Sequence, residues 1–305
     1  MKNKILLGFW FVLSGGLIVL YLNLGYPDAN IISQVRVPRL LLTLFTGMAL
    51  AGIGSVYQTM LANPLAEPYI LGISSGSAFG SILAGISGYV LLMPLGGFVG
   101  AGFTMILVWK LANKKGRFDS SRLLISGVIA GMFFAAGISL LMYLNQQDTA
   151  LILGTLMGNL GRIFSQVEWL SFLGLFTLSM GILAYLYFKS TALDILSSGD
   201  IYAGSLGINV VGLRREIFLI SSIIIGICVA YAGIIGFVGL IIPHLVRFFI
   251  PTGQKKIYLF SLWAGGIFLL ACDLVAKHLL AMELPVGIVT AFIGCPFFMW
   301  LLLRK

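Results

Sequence analysis

The sequence predicts an all-α, polytopic membrane protein of about ten transmembrane helices, and three observations carry that prediction. Of 305 residues, 59% are hydrophobic and only 10% charged, where ordinary soluble domains carry about 25% charged residues. Mean hydropathy is +1.06. The apolar runs repeatedly reach roughly 18–22 residues, enough to cross a hydrocarbon core about 30 Å thick. Alternating strands of the barrel type are absent, so the spans are helices. The 38 glycines favour close helix approach in lipid, where association depends on packing.

In chain order the expected spans are 5–25, 38–62, 68–90, 92–112, 121–144, 168–188, 215–233, 235–250, 258–280 and 285–303. The start, MKNKILLGFWFVLSGGLIVLYL, has the basic head and apolar core of a signal peptide. Its apolar run is long and no A-x-A-like site follows, so it reads as an uncleaved first span. Between the second and third spans, QTMLANPLAEPYILG packs Asn63, Pro64, Glu67 and Pro68 into a short corner. Two prolines forbid a continuous helix there, and the Asn63 side chain can satisfy freed backbone groups.

Segment 145–165 is expected outside, with a short helix. Only AGIIG separates the seventh span from the eighth. Segment 189–214 is the longest inner loop, with helix-compatible pieces that SSGD interrupts, and an inner loop of that kind touches a partner. The whole chain, 1–305, reads as one transmembrane domain.

An even number of spans puts both termini on one side. If that side is the cytoplasm, all 19 Lys and Arg fall at cytoplasmic ends except Arg36, Arg39, Arg162 and Lys277. The net charge of +9 is therefore a topology signal and not a nucleic-acid footprint, since no soluble domain carries a basic face. A weak internal echo links the halves. Arg36 and Arg39 precede a span that reaches Ala51-Gly52 and then Pro64; Arg214 and Arg215 precede one that reaches Ala232-Gly233 and then Pro243, running the opposite way, as an inverted repeat requires.

Little in the chain suggests catalysis. No G-x-x-x-x-G-K-[ST] loop occurs, so energy must come from a partner protein or an ion gradient. Cys228, Cys272 and Cys295 lie apart inside spans and read as buried free thiols. His244 follows Pro243 and reads as a packing residue, His278 as interfacial; two histidines do not make a metal site. Asp273 and Lys277 are spaced to pair along one helix face, either neutralising each other or forming an ion relay. Arg36 and Arg39, in RVPR, are expected just outside span two, as headgroup anchors or as cations for a partner's carboxylates. Exposed pairs of that kind contribute only about 0.2–1 kcal/mol each, so they would orient a partner more than hold it.

Five stretches then line up with one family: RVPRLLLTLFTGMALAGIGSVYQTMLANPLAEPYILGISSG, DSSRLLISGVIAGM, SSGDIYAGSLGINV, GFVGLIIPHLVRF and LPVGIVTAFIGCPFFMWLLLRK. Together they resemble the FecCD-type permeases of bacterial ABC importers, which take up iron–siderophore chelates, haem and vitamin B12. The resemblance implies the BtuC-like permease fold, in the bacterial inner membrane, with a second permease subunit as a homodimer or a paired heterodimer. It also implies two ATP-binding subunits on the cytoplasmic face, which use ATP and Mg, and a soluble substrate-binding protein outside. No cofactor is implied for this chain itself.

By the same resemblance, Asp200, Ala203, Gly204, Leu206 and Gly207 match the segment that couples to the ATPase. Ser120 and Ser121 match the cytoplasmic gate, and Arg36, Arg39 and Lys277 match cations that receive the binding protein. Gln58, Asn63 and Pro64 belong to the corner beside the pathway. An ion-coupled secondary transporter using Asp273 and Lys277 is the rival reading, and a membrane scaffold or receptor without transport is a third. An iron chelate leads as cargo, with cobalamin second.

Overall fold

Long apolar runs without internal breakers fold as helices, and the turns fall where Gly, Pro and Asn interrupt them. A computed structural model describes residues 14–24, 28–114, 117–118, 120–250 and 253–303. Residues 5–13 of the expected first span, together with Lys2, Lys4, Lys115, Asp119, Arg304 and Lys305, lie outside the described residues. The helices are α1 (Ser14–Asn23), α2 (Ala29–Met60), α3 (Ile73–Ile86), α4 (Met93–Ala112), α5 (Ser120–Leu144) and α6 (Thr149–Met157). They continue with α7 (Gln166–Ser197), α8 (Asp200–Ser205), α9 (Val210–Ala232), α10 (Val238–Phe249), α11 (Gln254–His278) and α12 (Val286–Leu303).

Six of these, α2, α4, α5, α7, α9 and α11, are long and apolar enough to cross a membrane; α1, α3, α10 and α12 are shorter apolar helices. Each of these helices overlaps one of the expected apolar stretches, and six of them have the length of a span. The short α6 and α8 lie in the two long connections. Among the described residues, strand pairing is limited to Asn113–Lys114 against Arg117–Phe118.

Two boundaries depart from expectation in ways that matter for function. α2 begins at Ala29, not near 38: Asp28 accepts from Asn30 N, and a π-helical turn over Ile32–Arg36 carries the helix on. Arg36 and Arg39 therefore sit within a helix and not outside one. α7 runs past 188 to Ser197. Its start is fixed by a reciprocal cap in which Ser165 Oγ accepts from Glu168 N and the Glu168 carboxylate accepts from Ser165 N, 3.0 Å. Most of segment 189–214 is thus helix, broken at Gly199 (φ +113) as SSGD implied.

The two halves cross-pack. Each contains a long helix followed by a break and a short helix, α2 then α3 and α9 then α10. α2 packs against α11 and α10, whereas α9 packs against α4 and α3. This exchange matches the inverted echo in the sequence. α2 and α9 form the centre: 83% and 72% of their apolar windows are buried, against at most 44% for the other long helices. Close approach of α2 to its neighbours needs glycine, as at Gly47 and Gly54. A Cβ at Gly47 would run into the Gly265 carbonyl of α11, and one at Gly54 into the Gly239 carbonyl of α10. Phe45, Phe172 and Tyr231 join α2, α7 and α9 in an aromatic cluster. Cys228 and Cys272 are buried thiols, while Cys295 is exposed.

Candidate coupling and pathway site

The corner after α2 closes with its own side chain. After Met60 the chain turns through Ala62 (φ +49), and Asn63 Oδ1 accepts from Leu65 N at 2.9 Å. Glu67 and Tyr69 then reach across the molecule to the break between α9 and α10. Phe237 N donates to Glu67 Oε1 at 2.5 Å, and Ile235 N donates to the Tyr69 hydroxyl at 3.4 Å. Backbone amides freed by AGIIG are thereby answered from the other half, which non-helical backbone at membrane depth requires.

The final turns of α2 form a polar hub. Pro243 inside α10 has no N–H to offer the Gly239 carbonyl four residues back. Gln58 Nε2 supplies the missing donor, 3.2 Å from Gly239 O. The Gln58 carbonyl oxygen is bonded in turn by Arg247, whose Nη2 also donates to Ser55 O at 3.1 Å and Thr59 Oγ1 at 3.0 Å. Gln254 Nε2 donates to the same Ser55 carbonyl at 3.1 Å, and Thr59 Oγ1 donates to Gln254 Oε1 at 2.9 Å. Gln58 therefore ties α2 to α10, a role that its place in the corner did not reveal.

α8 is a capped, exposed helix on the connection between α7 and α9. Gly207 (φ +84) ends it, with Gly207 N on Gly204 O at 3.0 Å and Ile208 N on Ala203 O at 3.1 Å. Gly207 is needed for that left-handed conformation, since a Cβ there would meet nothing within 4 Å. Ala203 is buried, whereas Ile201 is 91% exposed, and Tyr202 and Leu206 are also exposed. Ile201, Tyr202 and Leu206 thus give α8 an exposed apolar face. Asp200 is paired with Arg214 of α9, Oδ2 to Nη1 at 2.6 Å. Ser120 and Ser121 open α5.

The outer residues are arranged differently from the expectation. Arg39 is not on the surface: its side chain is 8% exposed, and Asp273, with 1% exposure, lies against it. Arg39 Nε and Nη2 donate to the two Asp273 oxygens at 3.0 and 2.8 Å, and Nη1 donates to Glu283 at 2.7 Å. The Tyr21 hydroxyl of α1 adds a bond to Asp273 Oδ2 at 2.6 Å. Arg36 is buried as well and donates to Leu22 O at 2.5 Å. The reason is the early start of α2, which carries both arginines into the bundle.

The expected Asp273–Lys277 pair is also replaced. Asp273 takes the bidentate guanidinium, and the Lys277 ammonium stands 6.0 Å from the Tyr21 ring. Of the three residues expected to meet a binding protein, Lys277 alone keeps partial exposure. His244 packs edge-on against Phe297 and Phe298 of α12, and His278 is exposed.

Sequence reasoning singled out neither Glu67 as a cross-half cap nor Arg214, Arg247 and Gln254 as ties to α2. The prolines offered half a signal: Pro243 announces an orphan carbonyl at Gly239 but does not name its donor.

Residues 5–304 match the FecCD transport family. An iron chelatin transport system permease protein of Helicobacter pylori is 36% identical over 275 residues, 90% of this chain and 82% of that protein. The vitamin B12 import system permease protein BtuC of Serratia proteamaculans is 36% identical, over 89% of this chain and 81% of that one. The hemin transport system permease protein HmuU of Yersinia pestis is 33% identical, over 89% and 83%. Among solved structures, a metal-chelate-type ABC transporter in an inward-facing conformation superposes with a TM-score of 0.88 and 32% identity, covering 99% of this chain and all of that one.

Proposed function

Because the chain belongs to the FecCD transport family, we propose that it is the permease subunit of an ATP-driven importer for an iron chelate, a siderophore complex or haem. Vitamin B12 is the alternative cargo. It is a multi-pass protein of the bacterial inner membrane, with both termini in the cytoplasm. It pairs with a second permease subunit and works with two ATP-binding subunits inside and a substrate-binding protein outside. ATP and Mg belong to the ATP-binding subunits.

The observation that carries this reading is α8. Its apolar face, with Ile201 91% exposed, stands on a helix capped at both ends by glycine turns. Partner-driven work needs such a handle, because the sequence has no phosphate-binding loop of its own. The rival ion relay loses its acid. Asp273 is held as a carboxylate by Arg39 and Tyr21, which engage both of its oxygens and favour a structural pair over a relay.

Hydrolysis assays test the proposal. The purified chain alone is expected neither to bind nor to hydrolyse ATP, and the assembled complex to hydrolyse faster when loaded binding protein is added. Hydrolysis by the isolated chain, or a complex indifferent to the binding protein, would contradict it.

A further inference from the structure

We propose that Arg214 is a positioning residue that carries displacement of α8 into the last turn of α2. The proposal rests on the reading of α8 as the contact for the ATP-binding subunit. Arg214 Nη1 and Nη2 donate to Asp200 Oδ2 and Oδ1 at 2.6 and 2.8 Å, and Nε of the same guanidinium lies 3.4 Å from the Met60 carbonyl. Asp200 is the first residue of α8. Met60 is the last residue of α2, directly before the Asn63–Pro64 corner.

One planar, rigid group thus bonds both the exposed helix and the central helix. Its donors lie in a single plane and cannot move independently, so a shift of the Asp200 carboxylate displaces the whole fork. The asymmetry of exposure suits the role: the Asp200 side chain is 54% exposed and that of Arg214 10%. α8 faces the partner, and Arg214 faces the bundle.

The other flank of α8 reaches the preceding turn of α2 by a separate route. Asp194, near the end of α7, accepts from Gln254 N at 2.7 Å, and Gln254 Nε2 donates to Ser55 O at 3.1 Å. Both neighbours of α8, the end of α7 and the start of α9, are therefore tied to Ser55–Met60. α8 itself buries only Ala203. A helix so lightly packed, with two hydrogen-bonded routes to the last two turns of the most buried span, behaves as a lever whose load is the inner end of α2. Arg214 is the stiffer route, because it is a bidentate charged pair and not a chain of amides.

The test uses the complete importer in proteoliposomes and reads cargo molecules taken up per ATP hydrolysed. Arg214→Lys keeps the charge but cannot reach both Asp200 oxygens and the Met60 carbonyl together; Asp200→Asn breaks the same pair from the exposed side, where folding is least at risk. Each is expected to lower the ratio by about tenfold, the scale of a lost charge-assisted pair. The double variant should be no worse than either single, because both remove one interaction.

An unchanged ratio in Arg214→Lys overturns the proposal. So does an equal fall in uptake and hydrolysis, which marks a purely structural role, or a double variant whose losses multiply. Crosslinking from Tyr202→Cys to the ATP-binding subunit separates the two levels. If the crosslink forms and the ratio holds, Arg214 alone is misassigned; if it does not form, the reading of α8 falls and the lever with it.

Discussion

Replacing Arg39 by glutamate is expected to leave no folded protein to assay. The guanidinium is held among Asp273, Glu283 and the Tyr21–Asp273 bond, with Asp273 only 1% exposed. Removing one partner of a buried ion pair costs about 3–5 kcal/mol, because the other charge stays buried and uncompensated. Glutamate goes further and places a third carboxylate among two. Against a total stability of roughly 5–15 kcal/mol, that change removes most of the margin. Thermal unfolding and size exclusion in detergent read the outcome. The double variant Arg39→Gln, Asp273→Asn should recover folding, since a neutral pair leaves no orphan charge. If Arg39 were a docking residue on the surface, Arg39→Glu would fold normally and lose only affinity for the binding protein.

The second large effect falls at the opposite face. Ile201→Glu should leave the fold intact and reduce association with the ATP-binding subunit by about a hundredfold or more, the range of a central anchor at an interface. Ile201 is 91% exposed, so nothing within the chain depends on its side chain. At a docked interface the same position loses its apolar burial and gains a desolvated charge. Co-purification of the two subunits over a concentration series measures it. Wild-type association of a folded Ile201→Glu protein would remove α8 from the interface.

Much of this architecture was legible in the sequence, and the failures share a cause. Hydropathy located the apolar helices because lipid demands unbroken apolar runs; six of them are long enough to cross a membrane among the described residues. It placed the end of α7 too early because it detects where apolar residues stop. KSTALDILS is polar enough to leave the membrane and still helical to Ser197. The SSGD break and the Asn63 corner were readable because each depends on local backbone chemistry.

Arg39 was misplaced because its partner lies 234 residues away and no local pattern announces it. The helical spacing of Asp273 and Lys277 suggested a pair, but a bidentate guanidinium competes better for a buried carboxylate than an ammonium does. Gln58, Arg247 and Gln254 likewise gain their meaning only when α2, α10 and α11 meet.

ATP-dependent uptake tests the central claim most directly. Proteoliposomes would hold this chain with its ATP-binding subunits, and binding protein loaded in turn with ferric siderophore, haem or cobalamin would be supplied outside. The account predicts that one of these cargoes accumulates only when ATP is enclosed, and that accumulation persists after ionophores collapse every ion gradient. Uptake that proceeds without ATP and stops with the gradient would contradict it.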